Sequence, residues 1–434
     1  MSSSRLFPHN LFRQPAAGGA GAGCVTRGPD PLPPPTPCRH PGALGLRSVT
    51  WIFGAVAAVS FASPRPVFAQ AAPGTAYAGD EACMACHQGK VETYHKTAHF
   101  QTSSLPTKDS IHGKFNPGSN ILRTTNPDLF YTMEAGAEGF LMKAEWRSAT
   151  SQILKRTERF EVVVGSGRKG QSYLFWEGNA LYQLPVSYWT ELGGWVNSPG
   201  YPDGTAIFDR PIIPRCLECH ASSFKSIDPT THLYFKTSLE LGISCEKCHG
   251  PGAEHIALYR SVPPPRSPAE GAIVNPVRLS RDRQMDVCAL CHAGLGRPLA
   301  PALSFVPGDI LGPYLDFPQL APGAHVDVHG SQVQLLERSR CFQSNATLTC
   351  TTCHDVHTPQ REVTAFAAKC LTCHKVENCR TFPKLRHKID SQCITCHMPV
   401  QETDQVISTA NGKSFRPKVR NHQIGIYPDV HLPR

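Results

Sequence analysis

Methionine is scarce in this chain, 6 of 434 residues, so thioether groups can supply few metal ligands. Long apolar runs are lacking too. The best candidate, Val49 to Ala62, falls short of the roughly 20 residues a helix needs to span a bilayer. No basic run carries interleaved aromatics, which excludes nucleic acid as an expected partner. No internal repeat has a fixed period, which excludes a solenoid. Long helices are also disfavoured, because proline and glycine are plentiful at 39 and 35 residues.

Cysteine is the residue in excess, at 18. Fourteen of these form seven Cys-x-x-Cys pairs: Cys83/Cys86, Cys216/Cys219, Cys245/Cys248, Cys288/Cys291, Cys350/Cys353, Cys370/Cys373 and Cys393/Cys396. Each pair is followed at once by a histidine: His87, His220, His249, His292, His354, His374 and His397. With 20 histidines in 434 residues, chance would place one there only about 5% of the time. Structural zinc uses Cys-x-x-Cys knuckles but has no need of the adjacent His. The pattern is the attachment signature of haem c: two thiols on one helical turn add to the vinyl groups, and the next imidazole reaches the iron. Seven covalently attached haems c are therefore expected.

Cysteine at this density suits an oxidising compartment. Arg47, the apolar run 49–62 and Val67-Phe68-Ala69 read as the three regions of a cleaved signal, giving an export segment over 1–69. A start codon set too far upstream would account for the Pro/Gly-rich residues 1–46. A periplasmic or extracytoplasmic protein follows as the expectation. Removing residues 1–69 takes away six Arg and one Asp, so 37 basic against 33 acidic residues remain, a net +4. The propionates of seven haems would bring the whole to near neutral or acidic.

The expected fold is mainly α or irregular, with few long helices, plus a small antiparallel β insertion between motifs 1 and 2. The expected divisions are 70–120 around motif 1, the β insertion over 121–205, 206–300 for motifs 2–4, 301–400 for motifs 5–7, and a tail over 401–434. Strands are predicted at 129–133, 140–144, 160–164, 171–176 and 180–184 from their β-branched and aromatic content. Gly165 to Gly170 fits Gly-x-Gly-x-x-Gly, but a strand follows it where a dinucleotide site needs a helix, so it reads as a hairpin turn. Pro263 to Pro268 reads as a stiff linker.

Seven irons call for distal ligands, and eleven histidines lie outside the motifs beyond residue 69. His99, His255, His329, His357 and His422 have the most favourable local context. His95, His112, His232, His325, His387 and His431 make up the rest. Mainly bis-His, low-spin haem is expected, of lower potential than Met-ligated haem. Because His354 and His357 share one turn, His357 should serve a neighbouring haem. Cys341 and Cys379 either form a disulfide or remain free thiols.

Three segments carry a resemblance: Tyr94-His-Lys-Thr-Ala-His99, the Cys245 motif running into Gly-Pro-Gly-Ala-Glu-His255, and Cys393-Ile-Thr-Cys-His-Met-Pro399. Together with the seven motifs, they make the chain resemble the exported multihaem c-type cytochromes of the cytochrome c-554-like kind over about residues 80–425. The resemblance implies either an electron carrier working between redox partner proteins, peripheral to a membrane respiratory complex, or a multihaem enzyme acting on a small nitrogen or sulfur species. Related nitrite reductases carry Lys in place of the proximal His at the catalytic haem, whereas all seven motifs here end in His. With no evident acid–base set, electron transfer is the favoured reading. A structural or ligand-sensing haem module is a third.

Overall fold

The computed structural model describes residues 76–148, 150–263, 272–321, 323–385 and 391–430. The export segment, most of the proline-rich linker, His387 and His431 lie outside them.

Each Cys-x-x-Cys-His motif lies on or against a short helix. These are α1 (Asp80–Tyr94), α2 (Pro214–His220), α3 (Glu246–His249), α4 (Arg281–His292), α5 (Cys350–Cys353), α6 (Val363–Cys370) and α7 (Cys393–His397). Local chemistry sets their limits. Pro214 opens α2, where a missing N–H costs nothing. Gly250 ends α3 at φ 70°, a conformation glycine adopts without strain. The long α1 is broken at His87, whose φ and ψ of −117° and 31° leave the helical region. The turn is thus interrupted at the histidine that must point away from it.

Between α1 and α2 lie two antiparallel sheets. One has the order β2 (Ile121–Arg123), β3 (Phe130–Gly136), β4 (Gly139–Arg147), β5 (Ile153–Arg159). The other runs β1 (Ser103–Ser104), β6 (Val162–Val164), β7 (Gly170–Glu177), β8 (Ala180–Trp189), β9 (Gly194–Asn197). Period-two alternation sends Tyr131, Met133, Met142 and Ala144 inwards from β3 and β4. They meet Phe160, Tyr173, Leu184 and Trp195 in one shared core. Each of these large side chains contributes about 1.5–3 kcal/mol by leaving water.

The five-stranded sheet is buried on both faces. Its other side, Val162, Leu174 and Leu181, packs on Leu217 of α2 with Phe224 and Tyr234. The β region is therefore the bed on which motif 2 rests. It also touches the chain's end: the hairpin 408–410/413–415 lies beside β9, and Asn197 Nδ2 donates to Thr409 Oγ1 at 3.0 Å.

The chain is richer in strand than the mainly α expectation. Beyond the two sheets, short ladders pair 221–223 with 240–241, 297–298 with 315–316, and 400–402 with 418–420. Helices remain short because motif helices need only one or two turns to present a Cys-x-x-Cys-His, and prolines and glycines interrupt the rest. Among the described residues no helix is long and apolar enough to cross a membrane.

Candidate metal centres

Within the motifs, imidazole orientation is set by what the Nδ1 atoms hold. His249 Nδ1 lies 2.9 Å from the Val274 carbonyl, and His397 Nδ1 2.7 Å from that of Gly425. His292 Nδ1 lies 3.3 Å from Gln332 Oε1, and His220 Nδ1 3.0 Å from Thr102 Oγ1. A carbonyl can only accept, so Nδ1 donates to it and Nε2 carries the free lone pair. That is the tautomer a metal requires, held by an outer hydrogen bond. Outside the motifs, His422 follows the same rule, its Nδ1 3.0 Å from the Arg420 carbonyl.

Four motif histidines face a second histidine brought from elsewhere. His87 and His255 have ring centres 6.3 Å apart and planes 18° from parallel. His249 faces His357 at 6.0 Å, and His354 faces His422 at 6.2 Å. His292 faces His99 at 6.1 Å with the rings nearly perpendicular. Two imidazole–metal bonds of about 2 Å each, plus the nitrogen-to-centre distance of either ring, sum to roughly this separation. His329 lies close enough to His220 and His292 for each to feel its charge.

Burial favours the neutral, metal-binding form of eight of the facing and neighbouring rings. It drives His99 down to about 4, helped by the nearby His292 and His354. His422 is likewise pushed to about 4 by burial, against the bond its Nδ1 makes to Arg420. Burial also lowers His220, His292, His354, His255, His329 and His357. Donor chemistry, tautomer and spacing all fit iron porphyrin.

Four further described histidines outside the motifs are occupied otherwise. His232 Nε2 bonds Tyr182 Oη at 3.0 Å, His325 Nε2 bonds Asp404 at 3.1 Å, and His95 stacks on Phe100. His112 packs against Gly167, at the turn read from Gly165 to Gly170. That turn joins the antiparallel pair β6 and β7. Among the described residues no ring pair of this kind involves His374 or His397. Cys341 and Cys379 are free thiols, and Cys379 Sγ sits 3.1 Å from Thr381 Oγ1.

Sequence reasoning did not reveal which motifs adjoin. Cys83 lies within hydrogen-bond reach of Cys245, Cys219 of Cys291, and Cys288 of Cys350. Cys248 is near Cys288, Cys353 near Cys373, and Cys370 near Cys393. Motif 1 thus adjoins motif 3, and motif 4 adjoins motifs 2, 3 and 5, with 6 and 7 following on. Carboxylates join the first pair: Glu246 of motif 3 accepts from Ala78 N, Gly79 N and Gly252 N at 2.8, 2.8 and 2.7 Å. In return Asp80 accepts from Cys245 N at 2.9 Å. Only the Cys-Glu-Lys-Cys-His composition, with its acid inside the motif, hinted at this.

In motifs 1 and 6 the two thiols differ in exposure. Cys86 is exposed, whereas its motif partner Cys83 is half-buried against motif 3. The reason lies in α1, which buries only Val91 and Tyr94, both beyond the motif, so its early turns stand open to solvent. Cys373 of motif 6 is exposed as well, while the other motif thiols are partly covered.

Fold and motifs together define a multihaem c-type cytochrome. The family model described as cytochrome c554 and c-prime matches residues 205–250, which hold motifs 2 and 3. Among solved structures, the fold is similar to that of the outer cell wall cytochrome OcwA. Identity there is 17%, coverage 80% of this chain and 79% of that one, and the TM-score 0.50. An undecaheme cytochrome from the S-layer of Carboxydothermus ferrireducens matches at 16% identity and a TM-score of 0.34, over 76% of this chain. The present chain spans 51% of that protein's length. No curated protein matches.

Proposed function

We propose that this is an exported heptahaem cytochrome that carries electrons between partner proteins. Each motif tethers one haem through its two cysteines, with the following histidine as proximal ligand. Cys86 keeps this role although it is exposed, because thioether formation needs a thiol that a vinyl group can reach. His255 would hold a haem together with His87, His99 with His292, His357 with His249, and His422 with His354. His329 would do the same with His220. Bound haem supplies reversible one-electron iron chemistry, with potentials set by ligands, burial and nearby charge. The protein's own part would be to present two imidazoles at each of five sites, exclude water and keep neighbouring sites in contact. Electrons would follow the order of motifs 1, 3, 4, 5, 6 and 7, with motif 2 as a branch at motif 4.

The observation that carries this reading is the set of four histidine ring pairs at 6.0–6.3 Å. Mass spectrometry of protein from a host competent in cytochrome maturation should show seven added porphyrin masses. Optical and electron paramagnetic resonance spectra should then be dominated by low-spin iron. A stoichiometric high-spin haem that binds nitrite, hydroxylamine or cyanide would replace the carrier by an enzyme.

A further inference from the structure

A buried ion pair lies among the attachment sulfurs of motifs 2 and 4. Arg215 immediately precedes motif 2, and Glu218 is inside it. Their side chains are 5% and 6% exposed and meet at 2.7 Å. The guanidinium serves four groups at once. Nη2 donates to the Leu290 carbonyl inside motif 4 at 2.7 Å, and Nε to the Leu295 carbonyl just beyond it at 2.8 Å. Nη1, besides reaching Glu218, lies 3.3 Å from Cys219 Sγ. Glu218 uses its other oxygen to accept from Leu303 N at 2.8 Å. A third charge, the half-buried Lys247 of motif 3, interacts with Glu218, Cys219 and Cys291.

Stability alone gives no reason for such a pair, since apolar replacements of buried ion pairs are often neutral or stabilising. Its position gives a reason. Arg215 staples α2 to α4 so that Cys219 meets Cys291, and it places fixed charge beside two porphyrin sites. We propose that Arg215 and Glu218 are positioning residues that lock haem 2 against haem 4 and set the reduction potentials of both by opposed charge. The inference rests on the reading of motifs 2 and 4 as haem sites. A cation there stabilises the reduced, more negative haem and raises its potential. An anion does the reverse, and low polarity magnifies both effects.

The test is spectropotentiometric titration of the full holoprotein carrying Arg215→Gln or Glu218→Gln. Haem mass is checked first; a parent protein without porphyrin would overturn the haem reading of motifs 2 and 4 and this inference with it, whereas unshifted midpoints in the fully loaded protein would overturn the inference alone. With seven haems present, Glu218→Gln leaves Arg215 and Lys247 without an anion, so up to two midpoints should shift upward. Arg215→Gln should shift the same midpoints downward. Shifts of equal sign, or none, would mean the pair is only a structural bolt and would overturn the proposal. If Arg215→Gln does not fold, Glu218→Gln decides alone. It is isosteric, keeps an acceptor for Leu303 N, and must raise a midpoint for the proposal to stand.

Discussion

Replacing Glu246 by Ala should unfasten motif 1 from motif 3. The carboxylate is in a residue 4% exposed and accepts three backbone N–H groups, those of Ala78, Gly79 and Gly252. Hydrogen bonds to a charged group are worth about 1.5–3 kcal/mol each, and a buried donor left alone costs about 1–3 kcal/mol. Ala78 and Gly79 are half-buried and can recover water, whereas Gly252 is buried and cannot. One full penalty and two partial ones give about 4 kcal/mol, a large part of the ~5–15 kcal/mol that holds a typical protein together. With an unfolding entropy of ~2.1 cal/mol/K per residue over a chain of this size, the melting temperature should fall by roughly 5 °C. Glu246→Gln keeps one acceptor oxygen and should lose about half as much. The assay is thermal unfolding of the holoprotein followed by far-ultraviolet circular dichroism. An alanine variant melting within about 1 °C of the parent would refute the idea that this carboxylate joins the two motifs.

Other perturbations test other parts. His422→Ala should turn about one-seventh of the iron high-spin, and added imidazole should restore it; an unchanged low-spin spectrum would remove His422 from the iron opposite His354. Gly242→Ala should destabilise by more than about 2 kcal/mol in denaturant titration, because φ is +79° and a Cβ would run into the Phe100 carbonyl. It should also disturb the His99 spectrum, since Ile243 N donates to the His99 carbonyl at 3.1 Å. Tyr131→Phe removes a fully buried hydroxyl that has no protein partner, and should hold or raise stability by up to about 1 kcal/mol. A clear loss on thermal melting would mean that a bound water satisfies that hydroxyl.

The Cys-x-x-Cys-His motifs stand out in the sequence because their spacing is local, complete within five residues. The different surroundings of Cys83 and Cys86 do not, since they follow from which side of α1 meets motif 3. The strands at 130–136, 139–147, 170–177 and 180–189 were legible because alternation and aromatic content report a half-buried sheet locally. What escaped was non-local or unpatterned. Ser103 and Ser104 form an edge strand with no apolar signal, and β5 is too charged, with Lys155, Arg156, Glu158 and Arg159, to look like one. The tail 401–434 carries two short ladders whose polar strands gave no warning. The facing of His99 and His292, or of His249 and His357, depends on tertiary packing between segments far apart in sequence. No local rule could match them.

The two sheets between motifs 1 and 2 leave and re-enter the chain at nearly one place. Their first strand is pinned to motif 2 by Thr102 against the His220 ring, with Ser103 bonded to the His220 carbonyl, and motif 1 finds its neighbour in motif 3 rather than in motif 2. The β region is therefore a cassette on a closed base. Its outer strands and turns could be lengthened, trimmed or exchanged during evolution without interrupting the row of Cys-x-x-Cys-His motifs, provided that the face bearing Val162, Leu174 and Leu181 is kept.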